Sequence, residues 1–512
     1  MERPGEKPLA KFWFEDHRLK SSGPEKYFSG YQTESHEGSF FFWEKKADRL
    51  TLENDFFGFN AVYYKYTDGV LRVSNDIAKL VAAGEPLDYR ALAVFIRTGF
   101  YLNNSTPFAA ISLLPANSKL EFTSSGIRII KKENMVLANR VPDAGGIQQE
   151  YARIFANSIA ELKDIVGTGS SVLPLSGGRD SRHILLELTR QNAVPDICIT
   201  VKHQPPKSNE DFLVASLLAG QLGISHTGIW QNPDLNASEI VKNRETNFSA
   251  LEHAWFTALC GYIREHKVDY VYDGIAGDVL TAGSIMLNTT RNTMAREGRW
   301  VELAEDLIGK EGLLPVMFTE EYISLLPRAE AVADVTEELM KYADTANPIG
   351  QFYFWNRARR TIGSSAFSML GSSTTTLAPF LNRKLYQLMA SVPAEFFIEQ
   401  HGKRFHDRII AASYPEHAHI RFEDRGLDNQ KSKLRQRLNT NLALMQKLQN
   451  APDSRFSKIP ILSRAIYAIL SARYNDSSTL IFRMITYMDC LENSRNEKNN
   501  ANNQFWSENI CR

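Results

Sequence analysis

The sequence predicts a two-part chain, an α+β part followed by an α/β part with a parallel sheet, ending in helices. Three observations carry this. β-branched and aromatic runs broken by turn signals fill the stretch up to about residue 135. Between residues 171 and 272 four short apolar runs alternate with helical periodicities, the pattern of a parallel sheet covered on both faces. From Met286 onward the periodicity is largely helical.

In the first part, Gly38-Ser-Phe-Phe-Phe-Trp43, Ala61-Val-Tyr-Tyr-Lys-Tyr66 and Val70-Leu-Arg-Val-Ser74 read as strands. Thr67-Asp68-Gly69 joins the last two as a hairpin turn. Tyr89 to Phe100 reads as an amphipathic helix with Leu92, Val94, Phe95 and Ile96 apolar. Lys119 to Thr123 and Ile127 to Ile130 close the part as a hairpin around Ser124-Ser125-Gly126. Asn134 to Gly146, with Pro142 and Gly145-Gly146, is the expected connector.

The second part starts with a helix from Ile147 to Leu162. Its strands are expected at Ser171–Leu175, Asp196–Val201, Ser225–Trp230 and Val268–Tyr272, and its helices at Glu210–Leu222 and Phe248–His266. Ligands bind at the carboxyl ends of such strands. The tail from Asn493 to Asn503 is asparagine-rich and reads as disordered.

The first strand leads into Ser176-Gly-Gly-Arg-Asp-Ser181. The two glycines permit positive φ and close approach of a ligand. A turn that opens a helix presents free N–H groups at the positive end of the helix dipole, a place for phosphate or pyrophosphate. Asp180 adds a carboxylate suited to Mg²⁺ carried in by a triphosphate, and Ser176 and Ser181 add hydroxyls. No Gly-Lys-Ser/Thr follows, so this is not a Walker loop. Arg182 is placed either to reach a phosphate or on the surface.

The chain has 512 residues, 43% of them hydrophobic and 23% charged, which is the composition of a soluble globular protein. Its formal net charge is zero, so whole-chain charge makes no case for nucleic acid or a membrane surface as partner. Cys198, Cys260, Cys490 and Cys511 are far apart and form no metal spacing. Cys198 and Cys260 lie in apolar runs and read as buried thiols, which fits a reducing cytoplasm. His183, His203, His226, His253 and His266 form neither a triad nor a metal spacing, and a structural role is expected for each.

The loop Ser176 to Ser181 resembles the pyrophosphate loop of the N-type ATP pyrophosphatases. Asn54-Asp-Phe-Phe-Gly-Phe-Asn-Ala-Val-Tyr-Tyr64 is similar to the Asp-x-Phe-Gly-x-x-Pro-Leu-Tyr-Tyr stretch of asparagine synthetases, and Ser74 to Leu80 to their Ser-Glu-Ile-Lys-Ala-Leu. Asp88 to Leu92, Thr106-Pro-Phe108 and Leu113 to Ala116 follow in the family order. Asp273-Gly-Ile-Ala-Gly-Asp278 is similar to the family's Ser-Gly-Glu-Gly-Ser-Asp, and Pro379-Phe-Leu-Asn382 to its Pro-Phe-Leu-Asp. Asn382 serves as well as aspartate for a helix cap. The chain thus resembles the asparagine synthetase superfamily, which includes β-lactam synthetases and lasso-peptide cyclases.

The resemblance implies an N-terminal nucleophile-hydrolase-like α+β domain over residues 10–135. It implies an ATP pyrophosphatase domain with a helical C-terminal part over 147–490, leaving 491–512 as a polar tail. It further implies an ATP- and Mg²⁺-dependent ligase that turns a carboxylate into an acyl adenylate, which an amine or ammonia then attacks. Leu175, Ser176, Gly177, Gly178, Asp180, Ser181, Val201, Asp273 and Gly274 would line the nucleotide site, and Asp180 and Asp278 would hold the metal. A lysine is expected to stabilise the reacting adenylate, with Lys431 and Lys433 as candidates and Arg425 a third.

Two departures narrow the reading. The family's glutaminase uses an N-terminal cysteine, whereas this chain reads Met1-Glu2 and has no cysteine before Cys198. A scaffold without glutaminase activity is therefore expected. Ile275 stands where the synthetases carry a glutamate associated with the adenylate and with admitting ammonia. Isoleucine can neither accept a proton nor bind ammonium, so the acceptor side should differ from that of a true asparagine synthetase. The rival expectation is a non-catalytic scaffold or partner subunit. Substrate identity and oligomeric state are left open by the sequence.

Overall fold

The computed structural model describes residues 7–132, 143–204, 209–281, 288–399, 403–423, 434–452 and 454–496. Its first part is two antiparallel sheets laid face to face. One sheet is ordered β2 (Arg18–Ser22), β1 (Leu9–Glu15), β7 (Val70–Ser74), β6 (Tyr63–Thr67), β8 (Ser112–Leu113). The other is ordered β10 (Gly126–Lys131), β9 (Ser118–Thr123), β5 (Leu50–Asn54), β4 (Gly38–Lys45), β3 (Lys26–Gln32). Alternation sends Ala10, Phe12, Leu71 and Val73 from the first sheet, and Trp43, Leu52, Leu120 and Phe122 from the second, into one core.

The expected hairpins form. Asp68 and Gly69 both take positive φ between β6 and β7, as a tight two-residue turn requires. In the closing hairpin Gly126 pairs with Thr123, so the turn is Ser124-Ser125. Helix α1 (Tyr89–Thr98) is capped by the Asp88 carboxylate and ends at Gly99, whose φ is 81°. Most of the expected connector lies outside the described residues, and Asp143 caps the helix that follows, α2 (Ala144–Val166).

The second part holds a five-stranded, all-parallel sheet in the order β13 (His226–Trp230), β12 (Ile197–Lys202), β11 (Ser171–Pro174), β14 (Tyr270–Tyr272), β15 (Thr375–Leu377). Helices α3 (Asp180–Arg190) and α4 (Glu210–Leu222) connect its first strands. Two departures from expectation occur here. The helix expected from Phe248 begins only at Phe256, as α6 (Phe256–His266) after α5 (Leu235–Glu245), because Asn247, Phe248 and His253 take φ of 53°, 59° and 77° and break the helical path. The fifth strand, β15, comes from the mainly helical C-terminal stretch and was not expected.

The two parts are joined through a buried helical stretch, Phe354–Ile362, wound with i→i+5 spacing. Arg359 donates to the carbonyls of Gly58, Asn103 and Leu114, and Arg360 to those of Leu102, Asn103 and Ser105. The Tyr31 hydroxyl on β3 accepts from the Ala378 N–H just beyond β15. The first part thus sits against the carboxyl edge of the parallel sheet.

Candidate active site

In the parallel sheet the chain runs outward from β11 to β12 and β13, then crosses back to lay β14 on the other side of β11. The connections after β11 and β14 run to opposite sides at this point, and the carboxyl ends of the strands at such a switch are the ligand position of open parallel sheets. Val172 is in register with Val271, so the loop carrying Asp180 and the loop carrying Asp273 to Asp278 rise side by side.

The glycines make that juxtaposition possible, though not in the expected way. Gly177 and Gly178 are absent from the positive-φ glycines, and at Gly177 crowding sets the identity. A Cβ on Gly177 would lie 2.9 Å from the Cβ of Glu423 and 3.0 Å from that of Val214. On the facing loop, a Cβ on Gly274 would lie 2.8 Å from Asp180 Cβ, and one on Gly277 2.6 Å from Asp180 Cγ. Only hydrogen fits at those positions, and that brings the two acidic loops into contact.

Inside the first loop, the Ser176 N–H donates to Ser181 Oγ at 3.0 Å and the Gly178 N–H to Ser176 Oγ at 3.1 Å. The Gly177 N–H donates to Asp211 Oδ1 at 2.9 Å. The loop's own N–H groups, expected to face a phosphate, are therefore spent on side chains. The first intrahelical bond of α3 is from the His183 N–H to Arg179 O, which leaves the first-turn N–H groups of Asp180, Ser181 and Arg182 without an intrahelical acceptor.

Asp180 keeps 24% of its side chain open, while its Oδ1 is buried without a hydrogen-bond partner. Burial first, and the Asp278 carboxylate second, push its carboxyl well above the ordinary range, against the pull of Arg179. Asp278 itself is exposed at the start of the short helix α7 (Gly277–Leu280). Asp273 is pushed up to about 6 by burial, and its Oδ1 accepts the Ile275 N–H at 2.8 Å. Behind Asp180 lies a buried imidazole pair. His406 Nδ1 is 3.5 Å from Asp180 Oδ1, and His406 Nε2 is 3.0 Å from His183 Nδ1. Burial lowers both histidines, His406 to about 3, so both are neutral.

A family model described as asparagine synthase matches residues 168–477, more than half of the chain. The chain belongs to the asparagine synthase family. No curated protein matches it. Among solved structures it is similar to an allosteric regulatory enzyme of purine biosynthesis, at 12% identity over 39% of this chain and 33% of that one, with a TM-score of 0.13. It is also similar to the glutamine phosphoribosylpyrophosphate amidotransferase from B. subtilis complexed with ADP and GMP, at 12% identity over 56% of this chain and 59% of that one, with a TM-score of 0.14. The chain spans only 33% and 59% of those two proteins.

For the asparagine synthase reading, Ser176, Gly177, Gly178, Asp273 and Gly274 fall on the two facing loops, and Asp180, Ser181 and Asp278 in the first turns of the helices that follow them. Val201 sits near the carboxyl end of β12. Leu175 is buried, with its N–H donating to Ile199 O and its carbonyl accepting from the Thr200 hydroxyl at 2.5 Å. Lys431, Lys433 and Arg425 lie outside the described residues. Ile275 is buried beside the acidic loop.

Arg182 corrects the sequence reading, because it is neither on the surface nor aimed at the loop. It is buried, donates to the carbonyls of Ile420 and Arg421 at 2.7 Å, and lies 4.1 Å from the Phe422 ring centroid. It thereby fastens residues 420–423 over the loop, where the Glu423 N–H donates to Gly177 O at 2.9 Å. Arg179 pairs with Asp407 through two hydrogen bonds. Sequence reasoning missed Asp211, His406, Asp407 and Glu423, since the last three come from more than 200 residues away and carry no local pattern.

Proposed function

We propose that this chain is an ATP-dependent carbon–nitrogen ligase that activates a carboxylate as an acyl adenylate, releasing pyrophosphate, and passes the acyl group to an amine or ammonia with loss of AMP. One observation carries the reading. Two acidic loops meet at the switch point, and there Asp180 holds a buried, unpartnered oxygen next to a second carboxylate. In such a site ionising both carboxylates is costly unless a cation completes it.

That donor set fits Mg²⁺, a hard ion that takes one or two carboxylates and fills its remaining positions with water and phosphate oxygens. Asp180 and Asp278 would hold it, and when bound it would neutralise triphosphate charge. The protein's own groups do the rest. The first-turn N–H groups of α3, with the Ser176 and Ser181 hydroxyls, receive phosphate oxygens at the positive end of the helix dipole. Arg182 and Phe422 hold the 420–423 segment over the loop and so limit water on that side. Donors fixed before the reaction begins need no reorganisation as charge builds on the leaving pyrophosphate. A lysine, Lys431 or Lys433, completes the proposal.

The apolar Ile275 argues against ammonium handling at that point and favours an amine brought by the substrate itself or by a second substrate. It also favours the second reading, a family member that serves as a scaffold. The N-terminal sandwich, without a cysteine before Cys198, is proposed to be retained for its packing rather than for glutamine hydrolysis. Calorimetry with Mg·ATP separates the two readings. The ligase binds it and Asp180→Ala does not, whereas the scaffold reading requires no binding by either.

A further inference from the structure

The formal charge of zero conceals a strong segregation. Residues 431–475 carry nine lysines and arginines and one acidic residue, Asp453. Within this stretch the helices Leu434–Gln449 and Lys458–Leu470 pack on each other and on the helix Asn475–Arg495. Some of the cations are paired inward, as Lys447 is with Asp489 and Arg455 with Glu492.

The helix Lys458–Leu470 lacks the polar outward face of an ordinary surface helix. Ile461, Ala465 and Ala468, at i, i+4 and i+7, are its buried face. The opposite face is also apolar. Ile459 is 80% exposed, Leu470 73% and Tyr467 59%, with Leu462 and Ile466 between them. A helix apolar on its outward face is placed to meet a second apolar phase. At 100° per residue, Lys458 and Arg464 fall on the two flanks of this stripe, and the helix has no acidic residue. Arg473, just past its end, is exposed.

We propose that this face docks the protein on an anionic phospholipid surface, the helix Lys458–Leu470 lying in the interface plane with its cations at the headgroups. An apolar stripe with cations on both sides is the arrangement that inserts into a headgroup boundary and draws on anionic lipid. The docking is peripheral, since among the described residues no helix is long and apolar enough to cross a membrane. A second copy of the chain is a poorer occupant, because a twofold contact would bring two excesses of positive charge together. Nucleic acid would use the cations and leave the stripe in water.

The test is flotation of the full chain with phosphatidylcholine vesicles, with and without phosphatidylglycerol. The expected result is co-flotation only with the anionic vesicles, weakened by salt. It should fall at least about tenfold in I459S/I466S/L470S and also in K458Q/R464Q. Ile459, Ile466 and Leu470 lie on the outer face of the helix and Lys458 and Arg464 on its half-buried flanks, and an unchanged thermal melt verifies that each variant is folded. Three results would overturn the proposal: no co-flotation with either vesicle, co-flotation unchanged in I459S/I466S/L470S, or a wild-type chain that is dimeric and becomes monomeric in that variant. Binding to duplex DNA that survives I459S/I466S/L470S, with no vesicle binding, would assign the patch to nucleic acid instead.

Discussion

In the proposed reaction Asp180 is the residue on which the chemistry would turn, and its environment sets the expected behaviour of its variants. Burial and Asp278 make its ionised form costly, so Asp180→Ala should leave the thermal midpoint unchanged or raised without ligand. The same variant should lose the stabilisation that Mg·ATP gives the native chain, which a melt with and without ligand reads directly. Asp55 offers a pH test elsewhere. It accepts the N–H groups of Phe40, Phe57 and Gly58, and burial still pushes it up to about 6 from 3.8. A carboxyl raised in the folded state contributes stability at low pH that is lost as pH rises from 3.8 through about 6. Asp55→Asn turns an amide against one of three donors and should cost about 1–3 kcal/mol at acidic pH. That deficit should shrink by pH 7, as urea midpoints would show. Asp180 and Asp278 were legible in the sequence because each sits in a short motif beside an apolar strand. The His406 and Glu423 contacts were not, because a contact across more than 200 residues leaves no spacing to read.

Among the elements, the loop after β11 was legible as strand, turn and helix, but the reason for its glycines was not. Neither takes a positive φ, and what excludes a side chain at Gly177 is Glu423, at the end of the segment from Ile420, together with Val214. Gly177→Ala should therefore push that segment outward, costing about 1–3 kcal/mol in stability and weakening Mg·ATP binding by calorimetry. Asn382 caps the helix Arg383–Ala390, accepting the N–H groups of Lys384 and Leu385, as the sequence led one to expect. Asn382→Ala should cost about 1 kcal/mol in chemical denaturation, with the ligand response intact. β15 escaped notice because three residues, Thr375–Leu377, make a strand only when a neighbour is already in place. The break between α5 and α6 escaped for a related reason, since Phe248 and His253 hold positive φ through tertiary contacts and not through local preference.

At the scale of the whole molecule, the parallel sheet depends on the first part for one wall of its support. Arg359 and Arg360 are buried, hydrogen-bond to no carboxylate among the described residues, and donate to carbonyls of the first part. Arg359→Ala would leave carbonyls of Gly58 and Leu114 without that donor, so a loss of about 3 kcal/mol or more, as one cooperative transition, is expected on denaturant unfolding. Composition and periodicity foretold two parts and a helical end, yet not how the parts clasp, because that rests on two arginines inside an ordinary-looking helical stretch. The central claim is that the switch point between β11 and β14 adenylates a carboxylate. ATP–pyrophosphate exchange with Mg²⁺, run across free amino acids, sugar acids and peptides, tests it most directly. Exchange that depends on one carboxylate and vanishes in Asp180→Ala is the expected result. Exchange that persists unchanged in that variant, or none with any carboxylate together with no Mg·ATP binding, would contradict it.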